Sequence, residues 1–360
     1  MKNRDQFATF EPKEESALEA ITTAQRIAFG PILFQAAIEL RNRGILQFLA
    51  QKKEGANISE ICEGCDCKEY VALVLLEAGL GGEICFYKAG KYFISKVGIF
   101  LNNDKMTRVN MDFTKDVCYN ALSFLEESLD NGKPEGLHVL GPWQTIYQGL
   151  SILPEPAKTS WFEFDHFYSD QSFDNILPIV FADKPKRIFD IGGNTGKFSL
   201  KCCEHDETVE MTICDLPVQL ANAEGFLSDS PFRDRIHLHA VNVLESEVQF
   251  PGKADAIMMS QFIDCFAPEE IVHILNEAKK ALSPGGSIYI VETLWDRQKW
   301  AVSAFCLQQT SLYFSTIANG NSKMYSLEQV KACITSAGLE ITEVKDHLGI
   351  SSTLLKCSQK

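Results

Sequence analysis

A short segment near the middle of the chain, Asp190-Ile191-Gly192-Gly193-Asn194-Thr195-Gly196, constrains the fold more than any other. The apolar run Arg187-Ile188-Phe189 precedes it and reads as a strand. The helix-compatible run Lys197-Phe198-Ser199-Leu200-Lys201-Cys202 follows it. A glycine-rich turn between a strand and a helix lets a ligand approach the backbone closely, with the helix N-terminal amides pointing at it. From about residue 175 the same alternation repeats. Strands are expected at 187–189, 210–214, 236–240, 254–259 and 287–292, with helices between them such as 218–227 and 268–282. Regular alternation of this kind implies an α/β fold with a parallel, doubly wound sheet. Two further strand-like runs, 340–345 and 352–357, close the chain around a turn at Gly349. No repeats or low-complexity segments interrupt it.

The N-terminal part has a different texture. The first fifteen or so residues are polar and expected to fray. From Ile27 to Leu40 the chain is apolar almost throughout, so a helix there needs cover on all sides, from its own domain or from a partner subunit. Pro31 should bend or restart that helix. Short helices are expected at 44–49, 58–62 and 70–78. A hairpin follows, with strands 84–87 and 91–95 joined by Ala89-Gly90. Three helices and a hairpin make a winged helix. The usual partner of that motif is DNA, but the recognition-helix candidate, 68–78, carries one Lys, two Glu and no Arg. That is poor equipment for a groove lined with phosphates. A packing and dimerisation module is the better reading, and a ligand-sensing transcription factor is the alternative.

The whole chain has 360 residues and a formal net charge of -14, which also argues against nucleic acid as the main partner. No signal-type apolar segment stands at the N-terminus, and no apolar run has the length of a membrane span. The expectation is a cytoplasmic protein without membrane association. Twelve scattered cysteines suit reduced thiols acting as small hydrophobes. Cys62, Cys65, Cys67 and Cys85 leave a zinc site as an alternative, but Cys62 and Cys65 fit one face of a short helix and the thiols need not converge. No metal is expected.

Between the two halves, residues 109–173 are helical and rich in aromatic residues: Trp143, Tyr147, Trp161, Phe162, Phe164, Phe167 and Tyr168. Leu153-Pro154-Glu155-Pro156 marks a break. Most of these rings should be core, and a minority should line a pocket beside the glycine turn. The expected organisation is therefore a dimerisation domain at 1–108, a helical linker and substrate-pocket segment at 109–174, and a ligand-binding domain at 175–360.

The glycine turn does not match the dinucleotide fingerprint G-x-G-x-x-G. Counted from Gly192, the second required glycine falls on Asn194. What stands there is D-x-G-G-x-x-G. Asp215 follows 25 positions after Asp190, at the end of the next strand, in Cys214-Asp215-Leu216-Pro217. A carboxylate there accepts the hydroxyl hydrogens of a ribose. The bland alternative is a structural turn with a capping Asp.

With those motifs, the 254–259 strand and Leu282-Ser283-Pro284-Gly285-Gly286, the sequence resembles the S-adenosylmethionine-dependent small-molecule O-methyltransferases of the plant caffeate and acetylserotonin type and their bacterial relatives. The resemblance spans nearly the whole chain, because that family also carries an N-terminal winged-helix dimerisation domain. It implies a Rossmann-like methyltransferase sheet, a homodimer and a small-molecule acceptor. For the cofactor it implies Asp190, Gly192, Gly193 and Gly196 at the methionine end, Asp215 on the ribose and Leu216 beside the adenine. Asn242 sits where the family has an Asp, and Val243, Gln261 and Tyr168 complete the expected cofactor set. Trp161, Phe164, His166, Asn319 and Met324 are the expected substrate-pocket residues. Asn194 replaces a family glycine, and Asn tolerates left-handed backbone.

The resemblance breaks at the catalytic residues. The family's base is a His after the fourth strand, bracketed by two carboxylates. Here Asp264, in Gln261-Phe262-Ile263-Asp264-Cys265-Phe266, occupies the histidine position. Glu292 matches the first carboxylate, and Met324 stands at the second. Asp264 and Glu292 are the catalytic candidates. Either Asp264 is the base, its pKa raised by burial and by Glu292, or the acceptor needs only orientation, or the reaction has changed or been lost. His166 is a replacement base or a partly buried structural histidine.

Overall fold

A proline and a pair of capping side chains set the start of the chain's helical part in the computed structural model, which describes residues 14–360. The polar stretch expected to fray falls mostly on residues 1–13, outside the described residues. Ser16 caps helix Ala17–Ala28, its Oγ accepting from the Glu19 backbone N–H while Glu19 Oε2 accepts from the Ser16 N–H at 2.7 Å. Pro31 then lies in the first turn of a second helix, Gly30–Asn42, so the expected restart occurs there. Helices Ile45–Gln51, Ile58–Gly64 and Glu69–Gly81 follow. Strands β1 (Cys85–Lys88) and β2 (Lys91–Ile94) pair antiparallel. Ala89 and Gly90 both have positive φ, 49° and 80°, as a two-residue hairpin turn requires.

The described residues divide into two compact units, 14–112 and 113–360. The core of the first is built on Ile38, Leu40, Leu46, Leu49, Ile61 and Leu76. Cys62, Cys65 and Cys67 are half-buried against it and Cys85 is inside it, so they pack as small hydrophobes. Burial pushes the Cys65 thiol up to about 11, so it stays protonated. Among the described residues, no three His, Cys, Asp or Glu side chains are grouped to hold a metal ion.

The second unit holds a seven-stranded sheet: β3 (Arg187–Ile191), β4 (Glu210–Asp215), β5 (Ile236–Ala240), β6 (Ala254–Ser260), β7 (Leu282–Glu292), β8 (Leu339–Leu348) and β9 (Ser352–Gln359), in the order β5-β4-β3-β6-β7-β9-β8. The five strands β3 to β7 run parallel, and β9 is antiparallel to both β7 and β8. Alternate residues feed two cores, as a sheet covered on both faces demands. Along β6, Ile257 and Met259 enter one core while Ala256 and Met258 enter the other. The strand order reverses between β3 and β6, the place where open α/β sheets bind ligands.

The aromatic segment supplies a third cluster in this unit. Phe113, Ile146, Leu150, Tyr313, Phe314 and Ile317 are its buried members, with Trp143, Tyr147, Trp161, Phe162 and Phe164 packed against them. The Pro154–Pro156 break is followed by helix Ala157–Ser169. Among the described residues no helix is long and apolar enough to cross a membrane.

Candidate active site

A cavity of about 510 Å³ opens at the strand reversal, within the second unit. The ends of β3 and β4 form one wall. Gly192 has φ +72°, Asn194 +49° and Gly196 +81°, so Asn194 adopts the left-handed backbone expected of it. The Asp215 carboxylate accepts from Asn194 N–H at 3.0 Å and from Leu216 N–H at 2.7 Å, tying the turn to the end of β4. Burial pushes its pKa up to about 6. Asp190 is buried under the turn, accepts from Ser199 Oγ at 2.8 Å, and is pushed up to about 7 by that burial. A Cβ on Gly193 would stand 2.7 Å from Asp190 Oδ2, so only glycine lets the turn lie this low.

Of the expected cofactor residues, Asp190, Gly192, Gly193, Asp215, Leu216, Asn242, Val243 and Gln261 all line this cavity. Two expected members are not among the lining residues. Gly196 closes the turn instead. A Cβ there would stand 2.7 Å from Ile213 Cδ1, so its small size serves helix-to-sheet packing. Tyr168 packs its ring on Phe164 and Phe167, at 5.1 and 5.2 Å between centroids. Asn242 spends its Oδ1 on the Leu244 N–H, 3.1 Å away.

The pocket set gathers on the same cavity: Trp161, Phe164, His166, Asn319 and Met324 are all on its wall. Trp161 Nε1 donates to Tyr313 Oη at 2.8 Å, and Phe164 stacks on Phe113 at 4.1 Å. Met324 is buried, and its sulfur accepts from Thr293 Oγ1. Asn319 holds the loop after β6, donating to the Cys265 carbonyl. His166 Nδ1 lies 3.7 Å from both Asp165 and Asp170, but burial and then Lys197 lower its pKa, keeping the ring neutral.

Asp264 is buried on the cavity wall. Glu292 is not on that wall. It sits behind the loop, with Oε1 accepting from Phe262 N–H at 2.9 Å and from Ile263 N–H at 2.8 Å, and with Oε2 unpartnered among the described residues. Burial raises the pKa of both acids. Their mutual repulsion raises Glu292 further, so Glu292 is the one that keeps its proton. Glu292 thus holds the backbone of the loop that carries Asp264. Residue patterns did not show this, because an acid ending a strand carries no mark of which backbone amides it will meet. Sequence reasoning also passed over Asp165, which lies on the wall one helical turn from Trp161. Its place in an aromatic helical run was the available signal.

An O-methyltransferase domain profile matches residues 173–340, and a Dimerisation2-like domain profile matches residues 22–92, together about two thirds of the chain. The L-tyrosine C(3)-methyltransferase of Streptomyces lavendulae is 23% identical over 319 residues, covering 87% of this chain and 85% of that protein. The chain belongs to the S-adenosylmethionine-dependent O-methyltransferase family. Solved O-methyltransferases share its fold. Mitomycin 7-O-methyltransferase superposes with a TM-score of 0.71 at 15% identity, over 95% of this chain and 98% of that one. Human N-acetylserotonin methyltransferase, in complex with S-adenosylmethionine, gives 0.65 at 15% identity, over 97% and 99%. The methyltransferase site fits that cofactor on its own terms. Asn194 Oδ1 and Gln261 Nε2 are buried on the cavity wall without partners among the described residues, and the turn at Gly193 leaves room for a ligand against the backbone.

Proposed function

We propose that this methyltransferase acts on the hydroxyl of a small aromatic acceptor, with Asp264 accepting the hydroxyl proton. The single observation that carries this is the buried Asp264 on the cavity wall, its loop pinned by two backbone hydrogen bonds to Glu292. When bound, S-adenosylmethionine supplies a methyl group made electrophilic by its positive sulfur. The protein's part is positioning and proton removal. Asp190 shapes the turn for the methionine end, Asp215 takes the ribose hydroxyls, and Leu216, Asn242 and Val243 border the adenine. A phenol has a pKa of about 10, and burial moves the Asp264 carboxyl toward it, which improves the match between base and acid. Trp161, Phe164 and Met324 supply apolar surface for a ring.

The test is turnover with S-adenosylmethionine on a panel of phenols and catechols, followed by mass spectrometry of the products. Methylated ethers are expected. A panel that yields no methylated product, in protein that binds S-adenosylhomocysteine, refutes the assignment.

We also infer a cytoplasmic homodimer built through the N-terminal winged-helix unit. Helix Ala17–Ala28 has no buried residue, and Ile27, Phe29 and Ile32 are exposed in sequence. A second copy of the Dimerisation2-like domain is the matching cover. The free thiols fit a reducing compartment. Sedimentation should show a dimer that Ile32→Asp dissociates. A monomeric parent protein sinks this part of the reading.

A further inference from the structure

The cavity wall is strongly acidic, and its charges are unevenly matched. Asp190 and Asp215 repel one another at the ends of β3 and β4, and both belong to the cofactor reading. Asp165 and Asp264 form a second repelling pair, on helix Ala157–Ser169 and on the loop after β6. Among the described residues the one Lys or Arg on the wall is Lys197, whose Nζ is 2.7 Å from Asp170 Oδ2 and is spent there. Its field at Asp165 is the smallest influence on that group, after burial, Asp170 and Asp264. His166, 3.7 Å from Asp165, is held neutral by burial and Lys197. Tyr313, also on the wall, feels the field of Asp165 and brings no positive charge. Asp264 faces Glu292, Cys265, Tyr147 and Tyr325, none of them cationic.

Asp165 therefore stands on the wall with no cation of its own among the described residues. It is also one helical turn from Trp161, on the same helix face. Phe113, Phe164 and Tyr313 line the same cavity. Aromatic faces and an unpaired carboxylate together recognise one kind of group well, an organic ammonium.

Building on the methyltransferase assignment above, we propose that the acceptor is an amine-bearing aromatic molecule, an arylalkylamine or aromatic amino-acid derivative, whose ammonium group binds Asp165. Asp264 is then left to take the hydroxyl proton. The two acids divide the acceptor between them, one holding its cationic end and one working at its hydroxyl. Asp165 is a specificity-determining residue and takes no part in the transfer itself.

Matched pairs that differ only in the amine test this: dopamine against ethylcatechol, tyramine against ethylphenol, and tyrosine methyl ester against its deaminated analogue. Each is titrated by calorimetry into the protein saturated with S-adenosylhomocysteine at about pH 8, where the amine is charged and Asp165 ionised. At least one amine should bind roughly tenfold or more tighter than its neutral partner, the scale of a charge-assisted hydrogen bond. Asp165→Asn should remove that preference while leaving affinity for S-adenosylhomocysteine and for the neutral partner in place. Asp165→Glu should retain it. The amine's affinity should also climb as pH rises through about 7, where Asp165 loses its proton, and should stay flat in Asp165→Asn. No preference in any pair, or a preference that survives Asp165→Asn, overturns the proposal. If the amine preference holds but no pair is methylated, the reaction assigned to Asp264 fails and the ammonium site stands. If only neutral members are methylated, the ammonium site fails and the reaction stands.

Discussion

Replacing Asp264 by Asn should make the protein more stable and nearly inactive at once. The carboxyl is buried opposite Glu292, and burial lifts its pKa from 3.8 to about 6 in the folded protein. A raised folded pKa means that folding favours the protonated acid. The cost of the charged form is therefore absent below the unfolded value, grows as pH rises between the two values, and is complete above about 6. Two units at about 1.36 kcal/mol each set an upper figure of about 3 kcal/mol, and sharing the burial with Glu292 brings the expected cost to about 1–3 kcal/mol. Asn fills the same space without charge. Its amide oxygen can still accept from the Cys265 thiol, which lies 3.5 Å from Asp264 Oδ1. At about 2 °C per kcal/mol for a chain of this size, the melting temperature of the ligand-free variant should rise by about 2–6 °C near pH 8. That gain should shrink toward pH 5, as the parent acid takes up its proton. Turnover on any accepted phenol should fall by about 100-fold or more, the usual worth of a general base, with S-adenosylhomocysteine affinity unchanged. Thermal melts across the pH range and steady-state kinetics on the same preparations read both arms. A lower melting temperature at pH 8, or a gain that does not depend on pH, would refute the electrostatic argument. Undiminished turnover would remove Asp264 as the base.

Two further substitutions probe the cofactor wall. Asp215→Ala should weaken S-adenosylhomocysteine binding by roughly tenfold or more in calorimetry, since it removes a charged acceptor that also ties down the Asn194 and Leu216 amides; unchanged affinity would take Asp215 out of the site. Gly193→Ala should abolish that binding and lower stability by about 1–3 kcal/mol, because its Cβ would meet Asp190 Oδ2 at 2.7 Å and Ile213 at 3.0 Å. Gly225→Ala is the matching control. That position is helical with no neighbour within 4 Å, so a gain of about 0.5–1 kcal/mol is expected.

The parts of the site that were legible in the sequence are those where the backbone itself does the work. Gly192 and Asn194 need left-handed backbone, Asp215 closes the next strand, and Pro31 suits the first turn of a helix, so each position shows its constraint locally. The cavity wall is different in kind. Asp165 and Asp264 face one space because helix Ala157–Ser169 packs on Tyr313 and Phe314, about 150 residues further along the chain. Spacing along the sequence says nothing about such a meeting. The same holds for Glu292, whose value lies in two amides 29 and 30 residues before it. Tyr168 and Gly196, also expected at the cofactor, are not among the residues lining the cavity. Tyr168 packs on Phe164 and Gly196 against Ile213, contacts that spacing along the chain does not show.

Asp264 and Met324, which are separate departures in sequence, are one departure in physics. A histidine base becomes a cation when it takes a proton, and two flanking carboxylates stabilise that cation. An aspartate base becomes neutral when it takes a proton and is charged beforehand, so each flanking carboxylate opposes its working form. One such carboxylate, Glu292, is tolerated here because burial keeps it protonated and two loop amides need its oxygen. A second at position 324 would serve nothing. The thioether of Met324, accepting from Thr293 Oγ1, fills that place without charge. Met324 lines the same cavity as Asp264, so the acid introduced by Met324→Glu should, once ionised, raise the pKa of Asp264 and move the acidic limb of the rate profile to higher pH. A pH–rate profile identical to the parent's would show that residue 324 does not act on the base.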